Sequence, residues 1–421
     1  MWKRSRRTRW LLAATATGAV LAAGVASLPA LADDGTRTVN YHGYEVDVPD
    51  SWRVVDLDAE PGTCVRFDKP TVYLGTPGEN SDCPANIEAG RTAGLVISKL
   101  DAKSAAVATG DTARVSAESG AAKAKSVNDR IQLAVEDAGV LVSAAHNGTT
   151  EDRVREVLDS ARLTEGAKAA KLSSFDTGAA KAKADPIVAP GTLNDKAFDQ
   201  CTAPGQGAMD AWKSASPYKA VGIYTSGVNR ACGQANLTPE WVAAQNANGW
   251  QFIIIHHGLE APCNPRYTEV FSEDPATARQ QGKDEAAGAI EAATALGFGA
   301  GSAIYVDIEA YDGCTDPVMA FVSGWAEGLR EGGWLSGMYS SGGSGVADLC
   351  ANYNNDQYVM PDHLWFAWWN DQADTDSGQY CSNDYFTGGR RIHQYSGDVT
   401  ETHGGVTIAI DRNFMDVKAP A

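Results

Sequence analysis

Two carboxylates one residue apart, Asp307 and Glu309, close the apolar run Tyr305-Val306-Asp307-Ile308-Glu309. On a strand, residues i and i+2 point to the same face, so the two acids stand side by side where the surrounding residues favour burial. Burial and mutual repulsion raise carboxyl pKa values and split them apart, so that one group holds a proton while its neighbour stays ionised. Such a pair can protonate a leaving group and steady the cation left behind. A strand end where both acids meet solvent, or cap the following helix, is the plainer alternative. Which one holds depends on what else the chain brings to the same place.

From Lys196 onward the chain repeats one unit: a short apolar strand, a polar loop, then a helix. The expected strands are 197–199, 220–224, 251–256, 303–309, 335–340, 364–369, 392–395 and 407–411. Thr238-Pro239, Asp274-Pro275 and Asp316-Pro317 each set a capping side chain before a proline at the first helical turn. The helix over 275–296 should stop at Gly297, and the one over 317–331 at Gly332-Gly333. An open doubly wound sheet shows similar alternation, but eight strands with helical crossovers predict an α/β fold of the TIM type, a (β/α)₈ barrel over 191–418.

In such a barrel the active site lies where strands end and βα loops begin. Asp199, Asp307, Glu309, Tyr339, Trp368, Trp369, Gln394, Tyr395 and Asp411 all fall there. Aromatic faces stack on sugar rings, while amides and carboxylates bond their hydroxyls. Glycoside hydrolysis needs one carboxylic acid for the leaving oxygen and a second carboxylate for the oxocarbenium-like centre. Each residue also has a structural alternative: one of the two tryptophans packing in the core, Asp411 capping Arg412-Asn413-Phe414, Asp199 fixing the loop before Cys201.

Asp199, Asp307-Ile308-Glu309, Leu364-Trp365-Phe366-Ala367-Trp368, His393-Gln394-Tyr395 and Asp411-Arg412-Asn413-Phe414 resemble motifs of family twenty-five glycoside hydrolases, lysozyme-type muramidases with a (β/α)₈ barrel. Phe198-Asp199-Gln200-Cys201-Thr202-Ala203-Pro204, Ala220-Val221-Gly222-Ile223-Tyr224 and Gly227-Val228-Asn229-Arg230-Ala231-Cys232 are more similar still to a secreted glycoside hydrolase-like domain of unknown function related to that family. The likeness spans about residues 194–417. It implies Glu309 as general acid and Asp307 as its charged partner, stabilising the cation or positioning an acetamido group. It implies that Asp199 and Asp411 orient the sugar and tune Glu309. Two positions depart from the muramidase pattern: Phe198-Asp199-Gln200-Cys201 replaces Gly-x-Asp-Val-Ser, and His393 stands where W-Q-Y has tryptophan.

The rest of the chain sets the context. Lys3, Arg4, Arg6, Arg7 and Arg9 precede an apolar run ending in Ala30-Leu31-Ala32, which predicts a signal peptide over 1–32; Ser5-Arg6-Arg7 resembles a twin-arginine signal. An uncleaved anchor is the lesser alternative, so no integral membrane span is expected in the mature protein. Losing five basic residues and no acid takes the net charge from −18 to −23. This excludes nucleic acid and anionic lipid as partners through a broad basic surface and suits a neutral glycan, peptidoglycan included. The eight cysteines, an even number in an exported chain without C-x-x-C, read as disulfides. Pairing between chain neighbours gives Cys64 with Cys83, Cys201 with Cys232, Cys263 with Cys314, and Cys350 with Cys381.

Residues 36–164 read as a small α+β domain with strands at 41–49, 63–67, 93–97, 131–135 and 140–143 and a helix capped by Thr150. Asn147-Gly148-Thr149 reads as a turn rather than a glycosylation site. The Ala/Lys/Pro-rich stretch 165–190 reads as a linker. Of His256 and His257 only one can face the barrel, and no H-x-H or H-E-x-x-H spacing exists, so neither metal nor cofactor is expected. Gly342-Gly343-Ser344-Gly345 lacks the phosphate-loop Lys-Ser/Thr and reads as a loop. The expectation is a secreted, cell-wall-directed glycoside hydrolase-like protein; the alternative is a non-catalytic glycan-binding or cell-envelope protein that keeps the cleft.

Overall fold

Apolar runs and capped helices alternate in the computed structural model as the sequence pattern requires, and eight strands close into a barrel: β1 (Leu193–Asp199), β2 (Ala220–Ser226), β3 (Gln251–His256), β4 (Ala303–Asp307), β5 (Leu335–Ser341), β6 (His363–Ala367), β7 (Arg390–His403) and β8 (Val406–Val417). The structure describes residues 35–79, 82–108, 111–119, 124–175 and 185–419. The expected signal peptide lies outside these, as does 176–184 of the expected linker. Five helices follow the strands: α1 (Gln206–Ala215), α2 (Pro239–Ala247), α3 (Pro275–Ala295), α4 (Thr315–Glu331) and the short α5 (Ala347–Ala351). Period-two alternation sorts the side chains. Ile253 and Ile255 fill the barrel with Tyr305, Trp365 and Met415, whereas Phe252 and Ile254 join the outer layer under the helices.

Pairing from β1 through β7 is parallel, but β8 runs antiparallel to both neighbours. The expected eighth strand–helix unit is instead a hairpin. Gly404 and Gly405 both have positive φ, the backbone that a two-residue hairpin turn demands, and they join His403 directly to its partner Val406. Asp411 therefore lies within a strand that enters from the barrel mouth, not at the exit of a parallel one. Other expected boundaries also moved. β4 ends at Asp307, leaving Glu309 in the loop, and β6 ends at Ala367, leaving Trp368 and Trp369 beyond it. Thr238 and Asp274 cap α2 and α3 through their side chains, but α4 already begins at Thr315, so Asp316 is not its cap.

Helices α3 and α4 pack at glycine positions beside β4. A Cβ on Gly324 would sit 1.8 Å from the Arg279 carbonyl oxygen, and one on Gly282 2.1 Å from that of Phe321. This close approach packs α3 and α4 directly against each other.

Before the barrel, a three-stranded sheet (36–41, 44–49, 162–163) and a six-stranded sheet (53–56, 71–74, 94–99, 140–145, 130–135, 113–115 in spatial order) share a core with the helix Glu151–Asp159. The expected strand 41–49 is a hairpin broken at His42-Gly43, both at positive φ. Residues 63–67 make only isolated bridges, one of them from Arg66 to Cys232. Thr150 does not cap its helix by its side chain; its hydroxyl bonds the Asn147 amide oxygen and the Thr92 carbonyl. The buried Asn147 amide donates to the Arg91 carbonyl, which suits the turn reading. All four neighbour pairs of cysteines are bridged. The sheets dock on the barrel loops through Phe67 N–H to Ala231 O and Gly233 N–H to Val65 O, both 2.8 Å, and Gly205 N–H to Glu79 O at 3.1 Å.

Gly324→Val is expected to lower unfolding free energy by about 1–3 kcal/mol or more in chemical denaturation, because backbone rather than a flexible side chain blocks the new carbons. Gly207→Ala on α1, where nothing lies within 4 Å of the added carbon, serves as the control. It should be neutral or stabilising by up to about 1 kcal/mol.

Candidate active site

The barrel register sets the candidate side chains at one level. Asp199 pairs with Gly222 and Asp411, Asp307 with Tyr339, Ala367 with Gln394, and Gln394 with Asn413. Gly222 makes the layer possible, since a Cβ there would lie 2.5 Å from that of Asp199. Asp199, Asp307, Glu309 and Asp411 are all buried, as are Tyr224, Tyr339, Gln394 and Asn413 among them.

One half of the mouth is organised by Gln394. Its amide nitrogen donates to Asp199 Oδ2 and Asp411 Oδ2, each at 3.3 Å, and its oxygen accepts from Tyr339 Oη at 3.0 Å and Trp369 Nε1 at 3.1 Å. Asn413 Nδ2 donates to Asp199 at 2.5 Å while its oxygen accepts from Trp365 Nε1 at 2.8 Å. The Asp398 N–H donates to Asp411 Oδ1 at 2.7 Å. Every acceptor and donor orientation here is fixed by its partners. Trp369, 54% exposed, is the one large aromatic that this network presents to solvent.

The other half holds the opening pair. Both oxygens of the fully buried Glu260 accept the Glu309 N–H at 3.1 Å, which fixes the backbone just beyond β4. His257 Nε2 bonds Glu260 Oε1 at 3.0 Å and its Nδ1 lies 3.9 Å from Asp307 Oδ2. Asp307 Oδ1 is buried and has no hydrogen-bond partner among the described residues. Glu309, 6% exposed, accepts from Asn86 Nδ2 at 3.3 Å, a residue of the N-terminal sheets' loop. That loop also pairs Glu88 with Arg266, whose Nη2 reaches the Ala310 carbonyl at 2.9 Å.

Burial governs the titration of this cluster. It pushes Asp199 up to about 6 against the hydrogen bonds from Asn413 and Gln394. It carries Glu309 up to about 7, aided by the Glu260 carboxylate and opposed by His257 and Asn86. Asp411 reaches about 8 through burial and the neighbouring Asp199, and Asp307 stands well above the usual carboxylate range through burial, with Glu309 adding to it. For His257, burial is outweighed by Asp307, Glu260 and Glu309, which raise it to about 9. The acids titrate as a linked set sharing protons at neutral pH.

The structure thus brings Asp199, Asp307, Glu309, Tyr339, Trp369, Gln394 and Asp411 together. Trp368 turns outward against Tyr380 and His393, and Tyr395 lies on the other side of β7 from Gln394, near Arg412 and Glu401. Sequence reasoning did not name Glu260, Asn86, Tyr224, Trp365 or Asn413 as site residues. Asn413 could have been found from its D-x-N spacing to Asp411; Asn86 gave no signal, being 223 residues from Glu309. Two groupings among the described residues are close enough to hold a metal. Cys64, Cys83 and Cys232 are bound in disulfides. In His257, Glu260 and Asp307, both Glu260 oxygens are already held by the Glu309 N–H.

Residues 210–415 match the family model of the Rv2525c-like, glycoside hydrolase-like domain. Asp307, Glu309, Trp369, Gln394 and Asp411 fall inside the match and Asp199 outside. None of the curated proteins matches the chain. Among solved structures, an uncharacterised protein of B. stearothermophilus is 18% identical with a TM-score of 0.36, covering 53% of this chain and 96% of its own. The modular autolysin LytC of Streptococcus pneumoniae is 13% identical with a TM-score of 0.32, over 61% of this chain and 54% of its own. A chitinase of Chromobacterium violaceum is 10% identical with a TM-score of 0.27, over 50% and 82%.

Two outcomes are expected. Because Asp199, Glu309, Asp411 and His257 all bind protons more tightly folded than unfolded, stability should fall as pH rises from about 6.5 to about 9, above the range in which the depressed His146, His363 and His393 oppose the trend. Asp411→Asn should flatten that slope in thermal unfolding; a melting temperature that climbs over this window contradicts the proton-sharing cluster. Asn86→Ala removes a donor to the charged form of Glu309. In a carboxyl-carbon NMR titration the Glu309 midpoint should move above its value near 7.

Proposed function

We propose that this is a secreted glycoside hydrolase-like enzyme that cleaves a cell-wall glycan, with peptidoglycan as the leading substrate. The observation that carries the reading is the set of four buried carboxyl groups at one barrel mouth beside the exposed indole of Trp369. The family match over 210–415 supports it, and the four disulfides suit an oxidising, extracellular setting. The basic-apolar leader fits export, by a twin-arginine route.

In this reading a sugar stacks on Trp369 and its hydroxyls meet Gln394, Asp199 and Asp411. Glu309 is protonated below about 7 and gives its proton to the glycosidic oxygen as the C–O bond breaks. Asp307 Oδ1, which has no partner among the described residues, meets the substrate and holds an acetamido group. Water adds to the anomeric carbon and its proton passes to a carboxylate, restoring the set.

A second reading, a glycan-binding protein without turnover, is favoured by one contact: the N-terminal loop sits on the acid itself through Asn86. Reducing-end release from peptidoglycan and chito-oligosaccharides separates the two. Wild type should release ends with a rate that declines above about pH 7, and Glu309→Gln should lose about 100-fold or more. Trp369→Ala should raise KM about three- to tenfold with less effect on kcat. Equal glycan binding by wild type and Glu309→Gln with no release from either establishes the binding module instead.

A further inference from the structure

The seam between the N-terminal sheets and the β2–α2 loop concentrates charge of the opposite sign. Arg91, Arg130 and Arg230 line one cavity of about 80 Å³, and Arg130 and Arg230 continue into a neighbouring cavity of about 240 Å³. Arg91 is 2% exposed and Arg230 8%. Arg91 Nη2 reaches the Asn128 carbonyl at 3.4 Å and lies 3.5 Å from Asp129 Oδ2. Arg230 Nη1 donates to the Tyr224 and Thr225 carbonyls, both at 2.9 Å. The Nε of each is buried without a partner among the described residues. The Arg130 guanidinium has no hydrogen bond or ion pair among the described residues.

Three guanidinium groups thus face one carboxylate within ion-pair reach. Burying an uncompensated cation costs several kcal/mol, and arginine cannot escape by deprotonating as readily as lysine does. Burial lowers Arg230 well below its ordinary range and Arg91 to about 10, with the neighbouring arginines adding to both shifts. Val65, Phe67, Val96 and Leu141 give the smaller cavity an apolar side, and Ser98, Ser104, Ser143 and Gln234 add neutral polar groups but no counter-charge. The free Nε–H groups and the remaining Nη atoms form the fork geometry that oxyanions accept.

We infer that the seam binds a small oxyanion, a phosphate- or carboxylate-class group, held among Arg91, Arg130 and Arg230. Asp129 pairs with Arg91, and Asp111 and Glu291 lie on the wall of the larger cavity; the bound group supplies the counter-charge that Arg130 and Arg230 do not receive through an ion pair among the described residues. Because Arg230 grips the end of β2 while Arg91 belongs to the N-terminal loop region, the anion also ties the sheets to the barrel. The site stands independently of the glycan reading.

The test is calorimetric titration and thermal unfolding of the full chain with inorganic phosphate, and separately with acetate, against chloride at matched ionic strength. Saturable binding near one phosphate per chain and a rise in melting temperature are expected. A parallel response to acetate extends the site to carboxylates, and its absence confines the site to phosphate. Arg130→Met should weaken phosphate binding at least tenfold, yet leave the melting temperature in chloride unchanged or higher by removing a like charge. Arg230→Gln should also lose the phosphate response. No phosphate effect beyond chloride, or a full response in Arg130→Met, overturns the proposal.

Discussion

Asp199, Asp307, Glu309 and Asp411, buried together at the barrel mouth, cannot all be ionised, and much of the surrounding structure serves to accommodate them. Gln394 spans Asp199 and Asp411, Asn413 holds Asp199, and His257 brings a positive charge to Asp307. Glu260 accepts the Glu309 N–H with both oxygens and also holds His257 Nε2. What these donors and charges leave uncompensated is met by shared protons. An acid that holds a proton at neutral pH is what the proposed glycoside cleavage would require of Glu309.

The fold positions this cluster by an exception to its own pattern. In an all-parallel barrel, Asp411 would reach the mouth only by ending the eighth strand. Here β8 turns back through Gly404-Gly405, and antiparallel register sets Asp411 opposite Asp199. The same hairpin brings Asn413 next to Gln394. The N-terminal sheets also take part, since Asn86 and Glu88 act on Glu309 from outside the barrel.

The sequence pattern was legible where local physics decides. Period-two runs located all eight strands, Thr238 and Asp274 announced their helices, and neighbouring cysteines paired as expected. It was not legible where partners are distant. The direction of β8 depends on a two-glycine turn inside what read as two separate short strands. Whether Trp368 or Trp369 faces the mouth depends on where β6 ends, which its apolar composition does not mark. Glu260 follows two histidines in a loop and gains meaning only from the backbone of Glu309; Asn86 comes from another sheet altogether. The D-x-E spacing pointed to the barrel mouth where Asp199 and Asp411 also lie, while most of the hydrogen-bond network there comes from residues that the spacing does not contain.

Infrared difference spectroscopy of the carboxyl C=O stretch in the full chain tests the shared protons most directly. A band from protonated carboxyl groups at neutral pH, reduced in Asp307→Asn and in Asp411→Asn, is the result that this structure predicts. A spectrum showing only ionised carboxylates at neutral pH would contradict it and remove the basis for Glu309 as an acid.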